Sequence, residues 1–160
     1  MNLFDIALNI GKSLFNNATK NSSSSDINES DADSDLNTYT RSFDEWENYW
    51  QYLGPLNNLK LSHLSSSVGL YRAKKKGQIV YLGRAVEYNN GGLRKRLSDY
   101  TRASGSSRKH KSGQLMNKNA TDLEIEILIT GGSAKAADLA RKLEVHFVSK
   151  YQPEWNKMLK

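Results

Sequence analysis

Two tyrosines in neighbouring predicted strands are the first residues whose spacing suggests chemistry. The segments on either side of Lys75-Lys76-Gly77 read as the two strands of a hairpin, and the glycine can supply the left-handed residue that such loops need. Centring the turn on Lys76 pairs Tyr71 with Tyr81, so both phenols are expected on one face of the sheet. The same pattern also fits an ordinary cross-strand aromatic contact, and the hairpin alone does not separate the two interpretations.

The next predicted element adds a cation to this pair. After an Asn-Asn-Gly-Gly turn, the segment LRKRLSDYTR predicts an amphipathic helix that buries Leu93 and Leu97. Arg96 and Tyr100 lie four residues apart and therefore share one face of the helix. An arginine can bind a phosphate through paired donors, which a lysine cannot match. Basic residues on a helix are more often simply solvated, so further residues must decide the function.

The charge distribution points to a polyanionic partner. The whole chain of 160 residues carries a net charge of +6. Residues 69–120 hold thirteen lysines and arginines against two acidic residues, a net charge of +11, whereas residues 1–40 carry −4. So concentrated an excess favours nucleic acid binding over a surface that merely aids solubility.

A carboxylate and an amide follow in the C-terminal part. The segment LARKLEVHF predicts a helix whose apolar face enters the core, with Glu144 at the edge of that face, and Asn156 follows in PEWN. Taken singly, Glu144 fits a surface ion pair with Arg141 or Lys142, and Asn156 fits a loop position. Only their combination with the tyrosines and the arginine suggests a site.

This combination resembles the GIY-YIG nucleases. The elements of the family pattern occur here in order as Gly69-Leu70-Tyr71, Tyr81-Leu82-Gly83, Arg96, Glu144 and Asn156. The resemblance covers residues 68–157, and the leucines that replace isoleucine are conservative. Tyr100 stands where many members have histidine, a position at which the excision-repair members are similar to this chain.

The resemblance implies a metal-dependent endonuclease that hydrolyses phosphodiester bonds. Glu144 would bind one Mg²⁺ or Mn²⁺, and Arg96 would hold the scissile phosphate. Tyr71 is expected to be the general base or to orient the attacking water, with Tyr81 and Tyr100 in support. A phenol has a pKa of about 10, so a basic role requires that nearby cations lower that value.

The resemblance and the charge together suggest further site residues. Asn156 is expected to fix the geometry of Glu144 or of the phosphate, and Arg84 to assist near the second motif. The residues expected to bind the substrate backbone are Arg84, Arg94, Lys95, Arg102, Arg108, Lys109 and Lys111. The last four fall in a Gly- and Ser-rich segment, residues 101–120, that we expect to be a mobile loop.

We expect an α+β fold with a small, mainly antiparallel, three-stranded sheet flanked by helices. The third strand corresponds to Thr121–Ile129, where apolar and acidic residues alternate. Upstream, a capping box formed by Ser42 and Glu45 predicts a helix that continues to Leu53 and ends at Gly54-Pro55.

The predicted domain organisation has three parts. Residues 1–15 form an amphipathic helix, residues 16–40 an acidic flexible linker rich in Asn, Ser and Asp, and residues 41–160 the nuclease-like domain with a helical extension. The sequence leaves open whether the first helix docks on its own domain, on a partner or weakly on a membrane surface.

The composition excludes several classes of protein. The chain has no cysteine, and its three histidines are scattered, so disulfides, thiolate chemistry and a protein-only zinc site are not expected. No run approaches 18 apolar residues, and the N-terminus lacks the features of a secretion signal. We therefore expect a cytoplasmic protein without a membrane span.

DNA is the expected substrate in preference to RNA. The sequence leaves restriction-like, repair, mobile-element and toxin roles open, and cleavage of a palindrome would require a homodimer. The alternative from another class is a non-catalytic nucleic-acid-binding module on the same scaffold.

Overall fold

The computed structural model of the chain describes residues 38–102 and 109–157. The predicted N-terminal helix, nearly all of the predicted linker and Arg108 lie outside these residues. Within them, no helix is long and apolar enough to cross a membrane.

Four antiparallel strands form a single sheet. They are β1 (Gln51–Pro55), β2 (Val68–Lys75), β3 (Gln78–Ala85) and β4 (Leu123–Gly131), in the order β1-β4-β2-β3. Strand β2 lies inside the sheet and is buried from residue 68 to 73, while β3 lies at an edge. The prediction of an antiparallel sheet with flanking helices is confirmed.

The predicted count of three strands is wrong, because the predicted helix over residues 42–53 becomes a short helix and a strand. The capping box does form, with reciprocal hydrogen bonds of 2.6 and 3.3 Å between Ser42 and Glu45. It starts only a 3-10 helix, Glu45–Tyr49, and the chain then extends into β1. A longer helix would have left the backbone groups at this edge of β4 without a partner strand. Pairing with β1 supplies their hydrogen bonds.

The predicted register of the hairpin is also wrong. The loop has two residues, Lys76 and Gly77, with φ of 52° and 79°, rather than three. Both values are positive, as in the primed turns that suit two-residue hairpins. Tyr71 pairs with Gly83, and Tyr81 pairs with Ala73, because the register shifts again between the turn and Tyr81.

Two one-residue shifts, at the turn and at a bulge, place both tyrosines on the same face after all. Lys75 pairs with Gln78 and Lys74 with Ile79, so Val80 is the extra residue of a β-bulge. A single shift would have turned Tyr81 to the opposite face, and the second shift restores it. The predicted shared face is therefore correct, although the predicted partner of Tyr71 is not.

In the described part of the chain, α-helices pack against the sheet. They are α1 (Gly92–Asp99), α2 (Lys111–Lys118), α3 (Ala134–Tyr151) and α4 (Glu154–Lys157). Leu93 and Leu97 of α1 are fully buried with the tyrosines, as predicted. On the other face of the sheet, Leu143 and Phe147 of α3 pack with strand residues such as Leu82.

Helix α2 corrects part of the prediction of a mobile loop over residues 101–120, of which residues 103–108 lie outside the described part of the chain. Its Met116 is fully buried in the core that contains the tyrosines, and Gly113 is buried as well. The high content of Gly, Ser and Lys hid a short amphipathic helix that is stabilised by this packing.

Candidate active site

Three tyrosines form one cluster on the face of the sheet that α1 covers. Tyr71, Tyr81 and Tyr100 are 2, 9 and 6% exposed. The ring centroid of Tyr71 lies 6.2 Å from that of Tyr81 and 5.9 Å from that of Tyr100. The hydroxyl oxygens of Tyr71 and Tyr100 are 2.5 Å apart and share a hydrogen bond. The tripeptide motifs and the helix thus bring their phenols together, as predicted.

The environment raises the pKa of two of these phenols, Tyr71 and Tyr100. Burial, followed by the neighbouring Tyr100 and Tyr81, raises the pKa of Tyr71 well above the ordinary value of a phenol. Burial is also the main reason that the pKa of Tyr100 is raised. Arg96 acts in the opposite direction on Tyr71 but is outweighed. A role as a base was expected to require a lowered pKa of Tyr71. The side chains of the protein alone raise this pKa instead.

Arg96 is oriented by a carboxylate that the sequence analysis did not single out. Its Nη2 donates a 2.6 Å hydrogen bond to Oε1 of Glu87, just after β3. Burial favours a lower pKa for Arg96, but Tyr71 and Glu87 outweigh it, and the pKa is raised. The guanidinium is therefore a permanent cation beside the tyrosines. The signal for Glu87 was its acidity in a strongly basic segment.

Glu144 reaches the tyrosine cluster around the free edge of β3. Helix α3 packs on the opposite face of the sheet, yet the Glu144 carboxylate, 19% exposed, accepts a hydrogen bond from Nη1 of Arg84 on β3. The ordinary surface pairs considered for Glu144 are not the ones that form, since Arg141 donates to Asp138 instead. The site therefore takes groups from both faces of the sheet.

Asn156 fastens α4 to the same edge. Its side-chain amide donates to the carbonyl of Leu82 at 2.8 Å, and its carbonyl accepts from the Leu82 amide at 2.9 Å. Asn156 thus supplies both hydrogen bonds that a further strand would offer to this position of β3. The side chain holds the segment between Tyr81 and Gly83, and its effect on Glu144 is indirect.

A cavity of about 420 Å³ unites these groups. It is lined by Tyr71, Tyr81, Arg84, Arg96, Asp99, Tyr100, His110, Ser112, Gly113 and Glu144. Five of the predicted catalytic residues thus share one cavity with Arg84, namely Tyr71, Tyr81, Arg96, Tyr100 and Glu144. Asn156 does not line this cavity. Asp99, His110 and Ser112 were not among the predicted site residues. His110 is exposed and also lines this cavity.

The remaining predicted substrate-binding residues that the structure describes do not line the cavity. Arg94, Lys95, Lys109 and Lys111 are exposed. Arg102, also exposed, lies 3.6 Å from the carboxylate of Asp99, which does line the cavity. Their exposure leaves these side chains accessible to the backbone of a long polyanion.

The carboxylates available to a metal are few. Within residues 38–102 and 109–157, no group of three or more His, Asp or Glu side chains converges on one point. Glu144 and Asp99 are the carboxylates that line the cavity. One or two carboxylates in an open cavity fit Mg²⁺ or Mn²⁺, which keep several waters and bind substrate oxygens. The donor set does not fit zinc, which prefers three or four protein ligands.

Comparison with known protein families matches the part of the chain that holds these residues. Residues 67–157 match the family described as the UvrC-like GIY-YIG domain. The chain belongs to this family. The matched region begins just before β2 and ends with α4, so the GIY-YIG domain contains every side chain that lines the cavity.

The curated relatives are longer proteins. The chain is 33% identical over 106 residues to the UvrABC system protein C of Chlamydia trachomatis serovar D, and 32% identical over 106 residues to that of Chlamydia muridarum. The alignment covers 66% of this chain and 16% of each relative. Membership of the GIY-YIG family supports a nuclease activity in general terms.

Proposed function

We propose that this chain is a divalent-metal-dependent endonuclease that hydrolyses phosphodiester bonds of DNA. The observation that carries the proposal is the convergence of Tyr71, Arg96 and Glu144 on one cavity, although Glu144 belongs to a helix on the opposite face of the sheet. A core that served packing alone would not need a cationic and an acidic side chain beside three buried phenols. Phosphodiester hydrolysis needs such groups together.

The two arginines have distinct tasks in this proposal. Arg96 binds the scissile phosphate, and Glu87 holds its guanidinium at a fixed angle so that its donors meet the charge that develops during hydrolysis. Arg84 lies opposite, at the carboxylate of Glu144, and can turn from that carboxylate to a phosphate oxygen as the substrate enters.

Glu144 would hold the divalent ion. When bound, the ion supplies a Lewis acid that neutralises the charge on the phosphoryl oxygens and activates water. The carboxylate is only 19% exposed and lies at the wall of the cavity, so it can present an oxygen to an ion without leaving α3.

Tyr71 orients the attacking water as a neutral phenol. Its hydroxyl shares a hydrogen bond with Tyr100, and its raised pKa keeps the proton on the pair at neutral pH. The phenol can accept a hydrogen bond from the water while its own proton is directed toward Tyr100. In the protein without its metal, Tyr71 therefore acts as a neutral group that orients water, and not as a phenolate base.

DNA is proposed as the substrate because residues 69–120, which supply most of the residues that line the cavity, carry a net charge of +11. The biological role belongs to the whole protein and is not fixed by the domain. RNA of the same sequence, offered in parallel, tests the preference directly.

Cleavage of supercoiled plasmid tests the proposal. Purified protein with Mg²⁺ or Mn²⁺ should convert the plasmid to nicked or linear forms, and EDTA should stop the reaction. Glu144→Gln and Arg96→Ala should each reduce the rate by about 100-fold or more. Glu154→Gln, on the exposed surface of α4, is the matched control and should cleave at the wild-type rate.

Two results would contradict the proposal. Cleavage that survives in both site variants would mean that the cavity is not the active site or that the preparation is contaminated. Salt-sensitive binding without cleavage of any DNA or RNA would favour the non-catalytic binding module.

A further inference from the structure

A second groove continues from the candidate active site along the outer side of α3. It has a volume of about 550 Å³ and is lined by Glu144, Val145, Val148, Ser149, Gln152, Pro153, Asn156 and Lys157. Glu144 also lines the cavity with the tyrosines, so the two spaces meet at the proposed metal ligand. None of the roles assigned above uses this groove.

The wall of the groove is apolar where solvent would favour a polar residue. Val145 is 70% exposed on α3, and Val148 and Pro153 continue the same wall. An exposed valine is also a poorer helix former than the lysines and arginines near it on α3. This surface suits the flat face of a sugar and base, which are the apolar parts of a nucleotide.

Gln152 supplies a polar end with an unusual backbone. Gln152 is the C-cap residue of α3, and its backbone lies in the left-handed region with φ of 46°. Its backbone N–H donates to the carbonyl of Val148 at 2.9 Å. Glycine normally fills this cap, because a side chain is disfavoured in the left-handed region. The cap explains the backbone conformation but not the choice of glutamine, whose side chain lines the groove.

We propose that this groove binds the nucleotide adjacent to the scissile phosphate and reads its base. This inference rests on the proposed function. The sugar and base lie on Val145 and Pro153, Lys157 meets the next phosphate, and the amide of Gln152 hydrogen-bonds the base edge. A glutamine amide matches adenine through one donor and one acceptor, so adenine is the preferred base at this position.

A base-preference measurement tests the groove. Oligonucleotides that differ at a single position are compared by competition binding in EDTA and by cleavage with Mn²⁺. Wild-type protein should prefer adenine at one position next to the cut by about tenfold. Gln152→Gly removes the side chain and relaxes the backbone, so it should abolish this preference while the protein stays at least as stable.

Lys76→Gly is the matched control. Lys76 also has a positive φ, but it lies in the β2–β3 turn and does not line the groove. It should keep the preference for adenine. A second variant, Val145→Trp, offers an indole face on which the base can stack at an exposed position of the groove, and it should strengthen binding of the oligonucleotide about tenfold without lowering the melting temperature.

The outcomes separate the groove from the nuclease. If wild-type protein cleaves DNA but Gln152→Gly and Val145→Trp leave base preference and affinity unchanged, the groove proposal is overturned and the nuclease stands. If nothing is cleaved but both variants alter binding in EDTA, the groove is a nucleotide-binding surface, and the proposed function and the placement beside a scissile phosphate both fall. A change in melting temperature alone, with unaltered binding, would assign the groove to something other than nucleic acid and would overturn the proposal.

Discussion

The ring of Tyr71 lies directly against the backbone of Gly83, its partner across the β2–β3 ladder. A Cβ atom added at Gly83 would come within 2.4 Å of the Tyr71 hydroxyl oxygen and within 2.6 Å of the ring carbon that carries it. The last glycine of the motif therefore makes room for the first tyrosine. The two tripeptides form one unit because each contributes half of this contact.

Gly83→Ala should displace the Tyr71 ring and reduce cleavage by about 100-fold, since a shift of about 1 Å in a reacting group costs that much. The loss in the free energy of unfolding should be about 1–3 kcal/mol. Plasmid cleavage and urea unfolding measure the two effects. Gly77→Ala is the control: its φ of 79° makes alanine unfavourable, but nothing lies within 4 Å. Equal activities in two equally destabilised variants would contradict the steric argument.

The site was more predictable from the sequence than the strand count. A motif singled out Tyr71, Arg96 and Glu144 as candidate site residues, and all three line one cavity. The prediction of the hairpin register was wrong because periodicity alone does not reveal a bulge at Val80. The strand β1 was not predicted because its pairing with β4 is a tertiary contact. Capping residues such as Ser42 mark where a helix begins, but not how long it continues.

The pairing of Glu87 with Arg96 could not be predicted from the motif. A carboxylate near a proposed phosphate site adds an unfavourable charge, and nothing in its local sequence assigns it to Arg96. The two side chains meet because the turn before α1 brings residue 87 back to the helix, where the Gly92 amide bonds the Glu87 carbonyl at 3.1 Å. Only the folded backbone reveals this pairing.

Glu87→Gln should lower kcat about tenfold while leaving KM unchanged or lower. The guanidinium of Arg96 loses the charged partner that orients it, and the substrate phosphate meets one negative charge fewer. Steady-state cleavage of an oligonucleotide separates the two constants, and Glu87→Asp should recover part of kcat. Asp138→Asn breaks an exposed pair of the same 2.6 Å length with Arg141 and should change neither constant. A rise in KM at constant kcat would show that Glu87 serves binding or folding instead.

The raised pKa of Tyr71 predicts how stability changes at high pH. The folded protein keeps the phenolic proton more tightly than the unfolded chain does. The resulting stabilisation is complete below the ordinary phenol pKa of about 10 and is lost as the pH rises above it, toward the folded-state pKa. Urea unfolding across this alkaline range should show a steeper loss of stability for wild-type protein than for Tyr71→Phe. Tyr52→Phe, at an exposed tyrosine of β1, should follow the wild-type slope. Identical slopes for all three proteins would mean that Tyr71 titrates normally.

The ion pair between Arg84 and Glu144 predicts competition between a guanidinium and a metal for one carboxylate. Arg84 is 43% exposed, so the pair contributes at most about 1 kcal/mol. Its removal should therefore tighten Mn²⁺ binding by roughly fivefold or less, which electron paramagnetic resonance of free Mn²⁺ measures without any substrate. The same Arg84→Gln protein should cleave more slowly, because the cation that turns toward the phosphate is lost. Arg141→Gln removes a guanidinium from α3 that pairs with Asp138 and should leave Mn²⁺ affinity as in the wild type. Weaker Mn²⁺ binding in Arg84→Gln would mean that the arginine orients Glu144 for the ion rather than competing with it.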